Sequence, residues 1–208
     1  MSVRDFNEAT WEALPPGLEP ADFDRRRRFL LANVRAGERV LDVGCGEGHF
    51  ATALLAAGAR VTGLDVAEEP LRRARARHPE LELALVEDDG CWPLPDASVD
   101  VVWAGEVIEH VADTAVWLSE LRRVLRSGGS LLLSTPANSP LALIAAALSR
   151  RRFARRFDPR GEHLRFYSRA TLTRLIEDFG FRCVSLQSAG GLPGARRLLL
   201  LHAVRSRF

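Results

Sequence analysis

Two stretches of this chain hold chemically capable side chains at short, regular spacing. In Gly105-Glu106-Val107-Ile108-Glu109-His110-Val111, two carboxylates and an imidazole lie within five residues. On a helix the three would stand at i, i+3 and i+4 and share one face. Two carboxylate oxygens and a ring nitrogen converging from one turn can chelate a divalent cation. A further ligand would come from His163, in Gly161-Glu162-His163-Leu164-Arg165-Phe166-Tyr167. Without a metal, His110 or His163 is the candidate general base, because imidazole titrates near neutrality. The same stretch also fits a plain helix start in which the His packs or hydrogen-bonds.

The second stretch is Val40-Leu41-Asp42-Val43-Gly44-Cys45-Gly46-Glu47-Gly48-His49-Phe50, an apolar run, a glycine-rich turn and a helix start. Its glycines let the backbone bend tightly and leave room for a ligand against the main chain. A dinucleotide fingerprint would need glycine where His49 stands. A phosphate-binding Walker loop would need a lysine, and all 29 basic residues here are arginine.

Taken with Asp65 at the end of the next apolar run, this loop resembles motif I of the class I S-adenosylmethionine-dependent methyltransferases. The resemblance implies that Gly44 and Gly46 cradle the cofactor and that Asp65, with Val66 beside it, accepts both ribose hydroxyls. Asp42 would orient the loop amides and, through water, the methionine ammonium. Asp88 and Asp89, ahead of Trp92-Pro93-Leu94-Pro95-Asp96, stand where such enzymes place an acid for the adenine amino group. Ser98–Val102 resembles the next strand, and Leu121–Gly129 the helix and turn before the fifth, so the match runs from Val40 to Pro136. The implied fold is α/β: a Rossmann-like, mostly parallel seven-stranded sheet of order 3-2-1-4-5-7-6, with the last strand antiparallel and helices on both faces. Gly44, Asp65, Asp88 and Glu106 would then converge outside the carboxyl ends of the strands.

The Glu-x-x-Glu-His element resembles that of the ubiquinone-pathway O-methyltransferases. It is also similar to the small-RNA 3′-terminal 2′-O-methyltransferases, in which Glu, Glu, His and a later His hold Mg²⁺. Both act on neighbouring hydroxyls, so the resemblance implies O-methylation of a small-molecule acceptor: a catechol, phenol or sugar diol. Mg²⁺ at Glu106, Glu109, His110 and His163 is then an option. N- or C-methylation, 2′-O-methylation of RNA and a catalytically silent cofactor-binding module are the alternatives.

Composition supports a folded, reduced, cytoplasmic protein. The 208 residues carry a net charge of +2, 47% hydrophobic and 27% charged residues, which is ordinary for a globule. That charge is too near balance to announce a nucleic-acid partner. Cys45, Cys91 and Cys183 share no metal-ligand spacing. We read residues 1–208 as one domain, with an N-terminal helical segment 1–36 and a lid insertion at about 137–167.

The elements that must position the site follow from periodicity. Asp22–Val34 reads as a helix with Arg25 to Arg28 largely outward. Strands are expected at Arg39–Val43, Arg60–Leu64, Leu81–Glu87, Val99–Trp103 and Ser130–Ser134, with helices at Phe50–Ala57, Glu68–Arg77 and Asp113–Arg126 between them. Leu141–Phe157 reads as one helix, Ser168–Phe179 as another with Ser168 as its cap, and Phe181–Gln187 and Arg196–Val204 as closing strands. Leu141–Leu148 followed by Arg150, Arg151, Arg152, Arg155, Arg156 and Arg160 fits several roles. A core-packed helix with a solvated end, a lid on a hydrophobic substrate, a phosphate grip and peripheral membrane contact through 141–160 all remain open.

Overall fold

The computed structural model describes residues 3–87, 91–156, 158, 163–192 and 196–207. The strands are β1 (Arg39–Val43), β2 (Arg60–Asp65), β3 (Glu82–Leu85), β4 (Val99–Gly105), β5 (Leu125–Pro136), β6 (Phe181–Ala189) and β7 (Leu198–Arg205). They form one sheet in the order β3-β2-β1-β4-β5-β7-β6. Strands β1 to β5 pair in parallel, and β7 runs antiparallel to both its neighbours. This is the architecture expected above.

Period-2 alternation splits the strand side chains between two cores. Leu41, Val102, Leu133 and Leu199 face one side; Val40, Trp103, Leu132 and Leu200 face the other. Because helices cover both sides, the central strands read as unbroken apolar runs. The helices are α1 (Val3–Ala13), α2 (Phe23–Leu31), α3 (His49–Ala56), α4 (Glu68–Arg77), α5 (Thr114–Val124), α6 (Pro140–Ala147), α7 (Arg150–Arg156) and α8 (Arg169–Asp178). Asp113 caps α5 by accepting from the amides of Ala115 and Val116, and Ser168 with Thr171 forms a reciprocal capping box on α8.

The helical segment expected at 1–36 holds two helices, α1 and α2. Three expectations need correction. Arg26 of α2 is buried rather than outward. The Leu141–Phe157 segment is two helices, since Ser149 accepts from the Arg152 amide and starts a second one. Nor does α6 pack into the core: Leu141, Leu143, Ile144 and Leu148 are all exposed. Among the described residues, no helix is long and apolar enough to cross a membrane.

Candidate active site

The carboxyl ends of β1, β2 and β4 meet at a cleft of ≈ 260 Å³. Gly44, Asp65, Val66, Trp92, Glu106 and His110 are among its lining residues. The glycine loop turns over the end of β1 because the Gly44 and Cys45 amides donate to the Leu64 carbonyl, at 2.8 and 3.0 Å. Gly44 has φ +67°, and a Cβ there would lie 2.5 Å from Cγ2 of Val107. Glycine is therefore required twice over, by conformation and by space.

Asp65 is buried at the tip of β2. Its Oδ2 accepts from the Gly46 amide at 2.9 Å and its Oδ1 from the Ala67 amide at 3.0 Å. An ionised carboxylate has about four acceptor positions, so two bonds leave capacity for ligand hydroxyls. Burial raises its pKa, against the pull of these amides. Asp88 and Asp89 lie outside the described residues.

Asp42 sits beneath the loop, and its Oδ2 has no hydrogen-bond partner among the described residues. Burial, and then the negative charge of Asp65, push its carboxyl up to about 8, opposed by Arg26. An unfolded carboxyl titrates near about 3.9, so over the interval between them the folded chain keeps a proton that the unfolded chain has lost. The stability from this group is full below the lower value and is lost as pH rises through the upper one. The melting temperature of wild type minus that of Asp42→Asn is therefore expected to fall steadily from about pH 5 to about pH 8. A pH-independent difference in paired thermal melts would contradict this.

Arg26, missed at the level of sequence, threads its guanidinium under the end of β4. It lies 4.7 Å from the centroid of Phe50 and 5.8 Å from that of Trp103. Burial lowers its pKa, while Glu106, Glu109 and Asp42 hold the positive form. A run of four arginines reads as solvated, so only the aromatic partners it meets in space reveal this one.

The Glu-x-x-Glu-His element is a turn, not a helix. Glu106 has φ +59°, off the helical path, and only the His110 amide closes a turn, onto Val107 at 2.9 Å. The Glu106 carboxylate accepts from the Ser134 hydroxyl at 2.9 Å. Glu109 is buried; its Oε2 accepts from the Thr135 hydroxyl at 2.9 Å, and its Oε1 has no hydrogen-bond partner among the described residues. Burial, and then Glu106, push Glu109 up to about 8.

His163 arrives on the stretch that leads into α8. The Glu109 carbonyl accepts from the amides of Leu164 and Arg165, at 2.8 and 3.1 Å, which pins that segment to the turn. The His110 and His163 rings meet edge-on with centroids 4.9 Å apart. One ligand atom each from Glu109, His110 and His163 can lie within 4.8 Å of the others. Glu106 lines the cleft beside them but does not join that cluster. Its carboxylate is engaged instead by the Ser134 hydroxyl.

Two further groups complete the site. Helix α1 roofs the cleft with Asn7, Thr10 and Trp11, and Trp11 packs on Gly46, where a Cβ would lie 2.9 Å from the indole. Buried Glu47 of the glycine loop clasps the strap that follows, accepting from the Gly17 amide at 2.7 Å and from Arg73 and Arg77. Arg73 also donates to the Trp11 and Leu14 carbonyls, both at 3.0 Å.

A seven-stranded sheet of order 3-2-1-4-5-7-6 with an antiparallel β7, a glycine turn after its first strand and an acid at the tip of its second is a Rossmann-like arrangement with room for a nucleoside-bearing cofactor. A family model described as "Methyltransferase domain" matches residues 18–186. A Mycolicibacterium smegmatis protein named "Probable S-adenosylmethionine-dependent methyltransferase" is 40% identical over 179 residues, 83% of this chain and 64% of that protein. A ubiquinone biosynthesis O-methyltransferase of Pseudomonas aeruginosa (strain UCBPP-PA14) is 35% identical over 133 residues, 62% of this chain and 56% of its own. The chain thus spans roughly a third to two-thirds of the length of the curated relatives it matches. An S-adenosylmethionine-dependent methyltransferase from Mesorhizobium loti shares the fold, with TM-score 0.72, 23% identity, and 89% of this chain and 98% of that one covered. The chain belongs to the class I S-adenosylmethionine-dependent methyltransferase family.

Proposed function

We propose that this protein transfers the methyl group of S-adenosylmethionine to a hydroxyl of a small molecule carrying two neighbouring hydroxyls. The observation that carries the reading is the convergence of Glu109, His110 and His163 beside a cleft that also holds the glycine loop and Asp65. The similarity to a ubiquinone biosynthesis O-methyltransferase supports transfer to oxygen. Asp65 and Val66 would hold the ribose end of the cofactor, with Gly44 in the cleft wall beside them and Gly46 letting Trp11 pack down on the loop.

Transfer is an in-line displacement. The acceptor oxygen bonds to the methyl carbon as the carbon–sulfur bond breaks; the electron pair stays on sulfur and neutral S-adenosylhomocysteine leaves. The hydroxyl proton passes to His110 or His163, the bases within reach of the cleft. Positioning supplies much of the rate, with reacting atoms held about 3–3.5 Å apart.

The orphaned Oε1 of Glu109 beside two imidazoles fits a divalent ion. One carboxylate and two ring nitrogens suit Mn²⁺, Fe²⁺ or Zn²⁺ better than Mg²⁺, which prefers an all-oxygen shell. Glu109, His110 and His163 would hold it, and when bound it would lower the pKa of an acceptor hydroxyl.

The test is transfer of labelled methyl from S-adenosylmethionine to a panel of catechols, phenols and sugar diols, with amines and carbon acids as controls. Label is expected on the oxygen of a diol. Label on nitrogen or carbon alone, or cofactor binding with no transfer to any member, overturns the reading. Loss of that activity on chelation, restored by Mn²⁺, would assign Glu109, His110 and His163 to a metal; activity unaffected by chelator assigns the role to a histidine base alone.

A further inference from the structure

We propose that a second cavity, between the N-termini of α6 and α8, binds a small soluble ligand bearing an oxyanion, a phosphate monoester or similar acid, through Arg169 and Arg196. The cavity measures ≈ 340 Å³ and shares no lining residue with the methyl-transfer cleft. It lies beyond the end of β5, walled by the segment leaving that strand, the start of α8, and residues of β6 and β7. The proposal therefore does not depend on the assigned methyl acceptor.

Charge is the first argument. No acidic residue lines the cavity among the described residues. Arg169 Nη1 donates to the Ser188 hydroxyl at 3.1 Å, and Arg196 Nη1 donates to the Gly191 carbonyl at 2.9 Å. Neither has a carboxylate partner among the described residues, whereas Arg39, Arg73 and Arg123 all do. A guanidinium has five N–H donors, so most of the donor capacity of this pair is uncommitted. Two like charges at one cavity repel, and an anion between them removes that cost while accepting charge-assisted hydrogen bonds.

The surroundings add further polar hydrogens. The Ser188 hydroxyl accepts from Arg169 and keeps its own proton to donate. The first turns of α6 and α8 both open here, and on α8 Ser168 already takes the Thr171 amide, leaving those of Arg169 and Ala170 without an acceptor in their own helix. Their dipoles place partial positive charge at the same spot. Leu199 and Pro140 supply apolar wall for the remainder of an organic ligand.

Titration of the full chain with inorganic phosphate, by calorimetry at constant ionic strength, tests the site. Wild type is expected to show one saturable site. Arg169→Gln or Arg196→Gln should each weaken it about tenfold, the scale of one charge-assisted bond, and the double variant should abolish it. Glycerol phosphate is expected to displace the inorganic ion. S-adenosylhomocysteine affinity and melting temperature should not change in any variant, since these arginines touch neither the cleft nor the core. No binding by wild type, or binding retained within about twofold in the double variant, overturns the proposal. Phosphate binding that glycerol phosphate does not displace overturns its organic-ligand part.

Discussion

Replacing His110 by alanine is expected to lower turnover of the diol acceptor by about 10²–10⁴-fold, the range of a positioned general base. The affinity for S-adenosylhomocysteine should stay within about threefold of wild type, because the lost contact is made to the reacting oxygen. The Nε2 of His110 lies 3.9 Å from the buried Glu109 carboxyl, which holds the imidazole beside the cleft. The His163 ring closes the other side. His163→Ala should produce a loss of the same kind, and combining the two should cost less than the product of the singles, as residues acting as a unit do. Single-turnover assays with labelled cofactor read the chemical step directly. Turnover near wild type in both single variants would remove the shared site from the mechanism.

The largest loss of cofactor affinity is expected from Asp65→Ala, about 10²–10³-fold measured by calorimetry with S-adenosylhomocysteine. Each hydrogen bond to a charged group contributes about 1.5–3 kcal/mol, and the ribose would offer two hydroxyls. Asp65 also tethers the Gly46 amide at 2.9 Å, so its removal loosens the loop that the cofactor contacts. Asp65→Asn separates the contributions: it preserves size and keeps one acceptor oxygen but loses the charge. Its affinity should fall between wild type and the alanine variant. Circular dichroism and thermal melts identify a variant that has simply unfolded. A folded Asp65→Ala protein that binds S-adenosylhomocysteine within about threefold of wild type would remove Asp65 from the cofactor site.

The sheet was legible in the residues because its information is local. Apolar runs of strand length, each followed by a turn signal, specified β1, β2 and β4 to within about two residues. The glycines at 44 and 46 announced a backbone that something else must approach, and Asp65 fell at the tip of β2 where the loop could use it. The start of β5 was less legible. The helical pattern of α5 runs on past Val124, and pairing of Leu125 with Val99, not periodicity, ends it.

Sequence by itself determined the order of the elements, the glycine loop and the residue types available for chemistry. Tertiary structure decided which of those residues meet. Arg4 and Glu8 hold α1 in place through partners 60 to 83 residues away, among them Glu68 and Glu87, so a window of a few turns could not say where that helix sits. Arg26 lies among outwardly similar arginines and is selected for burial only by Phe50, Trp103 and the carboxylates around it. The same i, i+3, i+4 spacing serves a helix and a turn, and Ser134 and Thr135 of the neighbouring strand receive Glu106 and Glu109 separately. His163 reaches His110 because backbone bonds to the Glu109 carbonyl carry it there. Periodicity specifies which face a residue takes; which groups share a site is settled by loop closure and burial across the whole chain, where an unpaired polar group costs too much to be left alone.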